Sequence, residues 1–536
     1  MRAQAPPNAQ DAPVPTIRVS THLTLIDAVV IDKHGQPVLD LHPQDFTVQE
    51  KGKNQKVSFF TPPSAARNLP AAPPLPAGTY SNRPEYRAPG GPAIVVVLDA
   101  ANTSFRDQIY GRLEMLKFVK DQYQPGQRMA IFTLTSQLAL LQDFTSDPQI
   151  LLDALQQYAP HEPALTPVPA PRPEVSNSQF SPSPVFVAAS AAIQSFQTGE
   201  VTYSMDRRVE TTLSAMRSLV RILGGIPGRK NIVWLTAGFP FSLFPDDLSF
   251  SGLPSSDRMP CATQGCVSAA PRRLEGSAGA QRDRYAEQVR DVAAQLASSQ
   301  LAIYPVDVRG LETKATLNTV ASQMTMDEMA RETGGEAFVN QNDIHNGVAR
   351  VLRDNSASYT IGYYPEDKKW DRKYRAINVK VNREGVEVRY RRGYFAIDPA
   401  EEKERKPDQE LTEALQDRAP DTLVVFDATV KPTDKSKMRV EFFVDPSSVS
   451  AEDAPGGKKI DVDFYAAIFS PAGKILASQS VRLDRTLPVD TYRQILQQGM
   501  KVHVDLDSPP GRNELRIAVR DGRTGYMGTI KAPLTQ

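Results

Sequence analysis

Between residues 91 and 355, short runs of strand-type apolar residues alternate with longer segments in which apolar residues recur at a helical period. The runs are AIVVVLD from Ala93, RMAIFTL from Arg128, NIVWLT from Asn231 and LAIYPV from Leu301. Strands that are separated by helices pair in parallel, so this alternation is typical of an α/β fold.

Three apolar stripes predict helices between the strands. They are Ile109, Leu113 and Leu116; Leu213, Met216, Val220 and Leu223; and Tyr285, Val289, Val292 and Leu296. Residues at this spacing share one helical face, which is the face that a helix normally packs on its sheet. The run LALLQDF follows RMAIFTL too closely for a crossover helix, so these two strands are expected to form an antiparallel hairpin at the sheet edge. The predicted sheet is therefore mixed but mostly parallel, with helices on both faces.

Composition divides the rest of the chain, and 536 residues are enough for several domains, since single cores stop growing near about 250–300 residues. Two stretches inside the α/β domain, 159–205 and 241–281, are rich in Pro, Gly and Ser and are predicted as long loops. The predicted layout is a disordered leader at 1–16, a β region at 17–60, a Pro-rich linker at 61–90, the α/β domain at 91–355, strands at 356–397 that complete the N-terminal β region, a charged connector at 398–420, and an antiparallel β-sandwich at 421–536.

Charge and hydropathy exclude some classes of partner. Lys+Arg and Asp+Glu both total 62, so the basic excess of a nucleic-acid-binding protein is absent. No stretch approaches the roughly 18 apolar residues of a membrane span. The sequence from Ala3 is similar to the start of a mature exported protein, although this chain contains no signal peptide. Cys261 and Cys266 have a spacing that fits a loop disulfide in an exporting compartment. We therefore expect a periplasmic or extracellular protein, with free thiols and a cytoplasmic location as the alternatives.

One carboxylate, Asp99, ends the first strand of the α/β part, and the polar residues Asn102, Thr103 and Ser104 follow it. Ligands of open α/β sheets bind beyond the carboxyl ends of the strands, which makes Asp99 a candidate site residue. A nucleotide site needs a glycine-rich turn here, and DAANTS contains no glycine. Neither a GxSxG elbow nor an HExxH pair occurs, so no catalytic residue is predicted.

The order of these elements resembles a von Willebrand factor A domain, from the strand that ends in Asp99 to the segment MARETGGEAFVNQNDI. The stretches PGRKNIVWL, SYTIGYYP and RRGYF are similar to a bacterial group of such proteins with flanking β regions. The resemblance covers residues 91 to about 396. It implies a Rossmann-like α/β domain that binds a protein partner without catalysis.

The resemblance also implies where a metal-ion-dependent adhesion site would lie. Asp99 matches its first ligand, Thr103 its last hydroxyl and Thr212 the threonine of its second loop. Ala101 and Ala237 replace the remaining serine and aspartate, so the site is degenerate and would hold Mg²⁺ or Mn²⁺ weakly or not at all. Either Asp99 is a structural carboxylate at the start of a helix, or a weak metal site is completed by the partner.

The predicted function is non-enzymatic protein binding of the adhesion type, through the face beyond the strand ends, where Asn102, Ser104 and Thr236 are the candidate contacts. A scaffold subunit of an envelope or secretion assembly is the alternative, and a metal-dependent hydrolase is a weaker one.

Two other features have structural explanations. Trp234 is expected in the core, and the cluster from Arg389 to Arg392 is either an anion site or, as we expect, the solvated face of an edge strand.

Overall fold

The computed structural model describes residues 23–63, 72–87, 93–123, 127–161, 184–241, 272–311, 317–355, 357–398, 407–434 and 436–535. The predicted leader at 1–16 and the cysteines Cys261 and Cys266 lie outside these residues. The fold is mixed α/β, with one sheet that contains parallel strands and several antiparallel sheets.

Four groups of helices and strands follow one another along the chain. The first group is β1 (Thr24–Asp32), β2 (Phe46–Glu50), β3 (Lys53–Gln55), β4 (Val57–Thr61), β5 (Thr79–Ser81) and α1 (Pro84–Arg87). The second is β6 (Ala93–Asp99), α2 (Phe105–Asp121), β7 (Arg128–Leu134), β8 (Leu138–Thr145), α3 (Pro148–Gln157), α4 (Pro184–Leu223), β9 (Lys230–Thr236), α5 (Arg272–Ser298), β10 (Leu301–Asp307), α6 (Leu317–Thr333) and α7 (Ile344–Asn355). The third is β11 (Ser358–Tyr363), β12 (Tyr374–Val381), β13 (Val386–Arg389) and β14 (Gly393–Phe395). The last is α8 (Pro407–Gln416), β15 (Phe426–Pro432), β16 (Lys437–Val444), β17 (Glu452–Ala454), β18 (Gly457–Phe469), β19 (Ile475–Leu487), α9 (Val489–Gln498), β20 (Met500–Asp507), β21 (Arg512–Asp521) and β22 (Met527–Thr535).

The central sheet has the strand order β10-β9-β6-β7-β8. Its first four strands run parallel, and β8 pairs antiparallel with β7 at the edge. The predicted mixed sheet with an edge hairpin is therefore confirmed. Along β6, Val95 and Val97 enter one hydrophobic cluster, while Val96 and Leu98 enter the other. Both faces of the strand are buried, which explains its uninterrupted apolar run.

Helices cover both faces of this sheet. Residues of α4, α5 and α6 pack in the first cluster, and residues of α2, α3 and α7 pack in the second. Part of each predicted loop is helical, because α4 begins at Pro184 and α5 at Arg272; residues 162–183 and 242–271 of these loops lie outside the described residues. Proline is favoured at the first position of a helix, and the alanine-rich sequence after Pro184 propagates one well.

The orientation of α2 differs from the prediction. Its apolar residues Phe105, Ile109 and Leu113 are 40%, 37% and 49% exposed. Instead, α2 buries a face that includes Gln108 and Gly111. At Gly111, an added Cβ would lie 3.0 Å from the side chain of Val308, the residue after β10, so a larger residue fits poorly there. Of the predicted stripe, Leu116 is partly buried against the second cluster, whereas Ile109 and Leu113 form an exposed apolar surface together with Phe105.

Strands from both sides of the α/β part pair with one another. One sheet has the order β13-β1-β11-β4 and another the order β14-β12-β2-β3, and the two share one hydrophobic cluster. The arginine cluster belongs to this region and is solvated only in part: Arg392 is exposed, whereas Arg389 is partly buried and Arg391 is buried. The guanidinium of Arg389 pairs with Glu336 and Asp354, and Arg391 is 8% exposed. Arg391 is buried because it lies between β1, where it donates to the Leu25 carbonyl, and residues of α5.

Two further antiparallel sheets share a cluster in the C-terminal part. One has the order β20-β16-β15-β5, and the other contains β17, β18, β21 and β22, with β19 paired to β18. Strand β5 lies within the predicted Pro-rich linker and pairs with β15, and α8 lies within the predicted connector. These short segments gain order from their contacts with neighbouring sheets. No helix within the described ranges is long and apolar enough to cross a membrane.

Candidate functional site

The candidate site lies at the carboxyl end of the central sheet. Asp99 is the last residue of β6, and Thr236 is the last residue of the neighbouring strand β9. After Asp99 the chain turns through Ala100–Ser104 into α2, with Ser104 as the N-cap. This tight connection places the Asp99 side chain under the loop, where only 2% of the residue is exposed.

Nitrogen donors surround the Asp99 carboxylate. The backbone N–H of Asn102 donates to Oδ1 at 3.0 Å, and the indole N–H of Trp234 donates to Oδ2 at 3.0 Å. The Asn102 amide Nδ2 lies 3.2 Å from Oδ1 and 3.0 Å from Oδ2. Both oxygens are therefore hydrogen-bonded inside the protein, as a buried carboxylate requires.

The Asn102 amide connects Asp99 to helix α4. Its Nδ2 also donates to the Thr212 hydroxyl oxygen at 3.0 Å, and its Oδ1 accepts from Arg208 Nε at 3.0 Å. The opposite amide orientation would place the NH2 group against a guanidinium, so the contact with Arg208 fixes which end points at Asp99. The amide nitrogen thus lies between Asp99 and Thr212, the carboxylate and the hydroxyl that the resemblance assigns to a metal ion.

The two threonine hydroxyls also have protein partners. Thr212 Oγ1 donates to the carbonyl of Arg208 at 2.8 Å, one helical turn earlier. Thr103 Oγ1 accepts from the backbone N–H of Ala237 at 3.1 Å. Ala237 stands where the resemblance places the second aspartate. At this position Thr103 therefore contacts a backbone N–H, and no second carboxylate is present.

The residues at this site do not fit a divalent ion. A hard cation needs oxygen ligands and favours several carboxylates, whereas here an amide NH2 group lies against the single carboxylate. Within the described ranges, no group of three or more His, Cys, Asp or Glu residues could hold a metal ion. The guanidinium of Arg208, which reaches Asn102, adds a positive charge that disfavours a second cation.

Burial governs the electrostatics of the site. It raises the pKa of Asp99 above its usual value, against the hydrogen bonds from Trp234 and Asn102, which lower it. Burial likewise lowers the pKa of Arg208, and the charge of Asp99 partly offsets this effect. The two residues form an electrostatic pair that is bridged by Asn102.

The structure changes the interpretation of the predicted surface contacts. Asn102 and Thr236 are buried and turn inward to satisfy buried polar groups, so the structure does not present them at the surface. Ser104 is exposed, and it caps α2 through a hydrogen bond from the backbone N–H of Asp107. The predicted ligands Asp99, Thr103 and Thr212 do converge in this region.

Sequence reasoning missed two members of the site. Trp234 was expected in the core, where it is, but it also donates to Asp99. Arg208 precedes Thr212 by four residues, a spacing that places both on one helical face. That spacing was the available signal for its role.

Gln108 of α2 holds the loop between β6 and α2 in place. This role was not predicted from the sequence. The buried amide of Gln108 donates to the carbonyls of Thr103 and His161, both at 2.9 Å. Its Oε1 accepts from the His161 backbone N–H at 3.0 Å. The loop is therefore held by one polar side chain of α2, which explains why α2 turns this residue inward.

Comparison with known proteins gives weak similarities. No protein-family model matches the chain, and no curated protein matches it. The BatB protein of Bacteroides thetaiotaomicron matches with a TM-score of 0.24 and 12% identity, over 50% of this chain and 99% of that one. Proximal thread matrix protein 1 from mussel byssus, with a zinc-occupied MIDAS motif, gives a TM-score of 0.23 at 10% identity, over 51% and 47%. A von Willebrand factor type A protein from Catenulispora acidiphila gives 0.21 at 8% identity, over 96% and 74%. Similarities at this level assign neither a function nor a site to this chain.

Proposed function

We propose that this chain is a non-enzymatic protein-binding module of the von Willebrand factor A type, in which Asn102 has replaced the metal ion of the adhesion site. The α/β domain, residues 91–355, makes the contact, and the flanking β regions, including a β-sandwich at 421–536, hold it in place. An exported location agrees with the spacing of Cys261 and Cys266 in the sequence.

The position of the Asn102 amide nitrogen carries this proposal. It lies 3.0 Å from Asp99 Oδ2 and 3.0 Å from Thr212 Oγ1, two oxygens that an adhesion site would offer to a metal ion. Because an amide NH2 group satisfies them without a cation, the loop before α2 is held in place by the protein itself. Binding of a partner then needs no metal-bridged carboxylate.

The exposed stripe on α2 supplies a contact surface of a different kind. Phe105, Ile109 and Leu113 recur every four residues, so they form one line along the helix. The line begins one residue after Ser104, beside the loop that Asn102 holds. Exposed apolar residues in a contiguous patch are typical of protein-interaction sites. The proposed partner therefore presents a complementary apolar surface.

Capture experiments with paired variants test the proposal. The full chain, the double variant Ile109→Glu/Leu113→Glu and the control Leu476→Glu/Val481→Glu would be used to capture partners from the envelope fraction of the source cell. Ile109, Leu113, Leu476 and Val481 are all exposed, so both double variants should fold and differ only in the surface that they disrupt. We expect a partner that is retained by the wild type and the control, with or without EDTA, and lost by the α2 variant.

Two results would reject the proposal. Retention of the same partners by the α2 variant would show that this surface is not the contact. Loss of the partner in EDTA would show that a divalent ion takes part after all.

A further inference from the structure

A second candidate site lies away from Asp99, where α5 meets the first residues of β1 and the segment after β14. A partly open cavity of about 140 Å³ lies there, and its walls include Leu23, Ala294, Trp370, Phe395 and Ile397. A cavity of roughly 150 Å³ accommodates one benzene ring. The space therefore suits a ligand with a compact apolar body.

Arg391 gives this apolar cavity a buried positive charge. Arg391 lines the cavity and is 8% exposed. One guanidinium nitrogen donates to the Leu25 carbonyl at 2.8 Å, and the guanidinium carbon lies 5.6 Å from the centre of the Tyr394 ring. The Nε atom is buried and has no hydrogen-bond partner among the residues that the structure describes. A guanidinium stays protonated in proteins, so this is a charge with unused donor capacity.

The carboxylates around the cavity have other partners. Asp291 accepts from Arg372 at 2.7 Å, and Asp398 lies 3.7 Å from the Arg523 guanidinium. Asp27, whose charge acts on Arg391, accepts from Gln300 at 3.0 Å and from Thr360 at 2.7 Å. Among the described residues, no carboxylate lies within ion-pair distance of Arg391.

A buried charge without an ion-pair partner is costly and is rare unless something compensates it. Tyr394 and a backbone carbonyl compensate this one only in part. An anion in the cavity would supply a counter-charge to the guanidinium, and the apolar walls would hold the rest of the ligand, which is the usual composition of a small-molecule site.

We propose that this cavity binds a small monocarboxylate with an apolar body about the size of one ring, and that Arg391 binds its carboxylate group. The specificity comes from two features: the guanidinium selects the anion, and the volume limits the body. This site does not depend on the function proposed for the α/β domain.

Titration of the full chain with benzoate tests the proposal, with the neutral isostere benzamide as the matched probe. Trp370 lines the cavity, and Trp234 is the other of the two tryptophans in the chain. Ligand binding can therefore be followed by fluorescence, and the variant Trp370→Phe identifies the part of the signal that arises in the cavity. We expect saturable benzoate binding and roughly 10- to 100-fold weaker benzamide binding, the difference expected for hydrogen bonds to a charged group.

Two variants separate the charge from the space. Arg391→Met keeps much of the buried stem, so it should fold while losing the preference for benzoate over benzamide. Ala294→Phe fills the cavity and leaves Arg391 in place, so it should abolish binding of both probes. The proposal is overturned if benzoate does not bind saturably, if benzamide binds equally well, or if Ala294→Phe leaves benzoate binding unchanged.

Discussion

Replacing Asn102 by alanine removes the side chain that connects Asp99, Thr212 and Arg208. Asp99 keeps the Asn102 backbone N–H and the Trp234 indole as donors. Arg208 Nε loses its acceptor, and Thr212 Oγ1 loses a donor. Each buried polar group left unpaired costs about 1–3 kcal/mol, and a charged one costs more. Because water can enter the space and offset part of this cost, we expect a loss of about 2–4 kcal/mol.

Urea unfolding measures this loss if the signal comes from the α/β part alone. A chain with several domains does not unfold in one step, so a local probe is needed. In a Trp370→Phe background, Trp234 is the remaining tryptophan, and it lies inside the central sheet. The matched control is Asn346→Ala, which removes an exposed amide contact with Gln122 in the same part of the protein and should cost less than about 0.5 kcal/mol. A loss for Asn102→Ala as small as the control would refute the proposed network.

Three further predictions concern buried positions in the same part of the chain. Asp99→Asn leaves one acceptor oxygen for several N–H donors, so it should lose about 1–3 kcal/mol, and an unchanged urea midpoint would count against the observed contacts. Burial lowers the pKa of Lys230 to about 8. The folded state then holds its proton less tightly than the unfolded state, so stability should rise between pH 8 and 10.5 by on the order of 3 kcal/mol. Lys230→Met should flatten this part of the pH profile, and an identical profile would exclude Lys230 as its source. Gly335→Ala would bring a Cβ to 2.0 Å from the Ile303 carbonyl oxygen, so it should cost about 3 kcal/mol or more in the same unfolding assay.

The central sheet was predictable because its strands carry their own signal. The run from Ala93 to Asp99 is buried along its whole length. A short continuous apolar run between turn residues is typical of a buried strand. The short spacing before Leu138 fixed the direction of the edge strand. Both signals are local, so neither depends on what packs against the sheet.

The face of α2 was not predictable from its own residues. Its apolar stripe includes Ile109 and Leu113, yet the helix buries Gln108 and Glu114. Gln108 donates to the carbonyl of His161 in a distant loop as well as to that of Thr103, and Glu114 contacts His345 of α7 as well as Lys117 of its own helix. A polar residue can be buried when its partners come from elsewhere in the chain, and periodicity does not show those partners.

The candidate site was predicted only in part, again because some of its contacts come from residues that are distant in sequence. A family resemblance placed Asp99, Thr103 and Thr212 in one region, and it showed that Ala101 and Ala237 lack ligand atoms. It did not show that Asn102 points inward, since that orientation depends on Arg208, which lies on α4 at a distance of 106 residues in sequence.

Titration of the full chain with Mn²⁺ by calorimetry tests the central claim most directly. If the Asn102 amide nitrogen occupies the position of a metal ion between Asp99 and Thr212, binding at this site should be millimolar or weaker, because the ion would have to displace a satisfied amide and share a single carboxylate. We therefore expect no saturable heat at micromolar Mn²⁺. A micromolar affinity in the wild type that disappears in Asp99→Ala would contradict the claim and show that the adhesion-type site is intact.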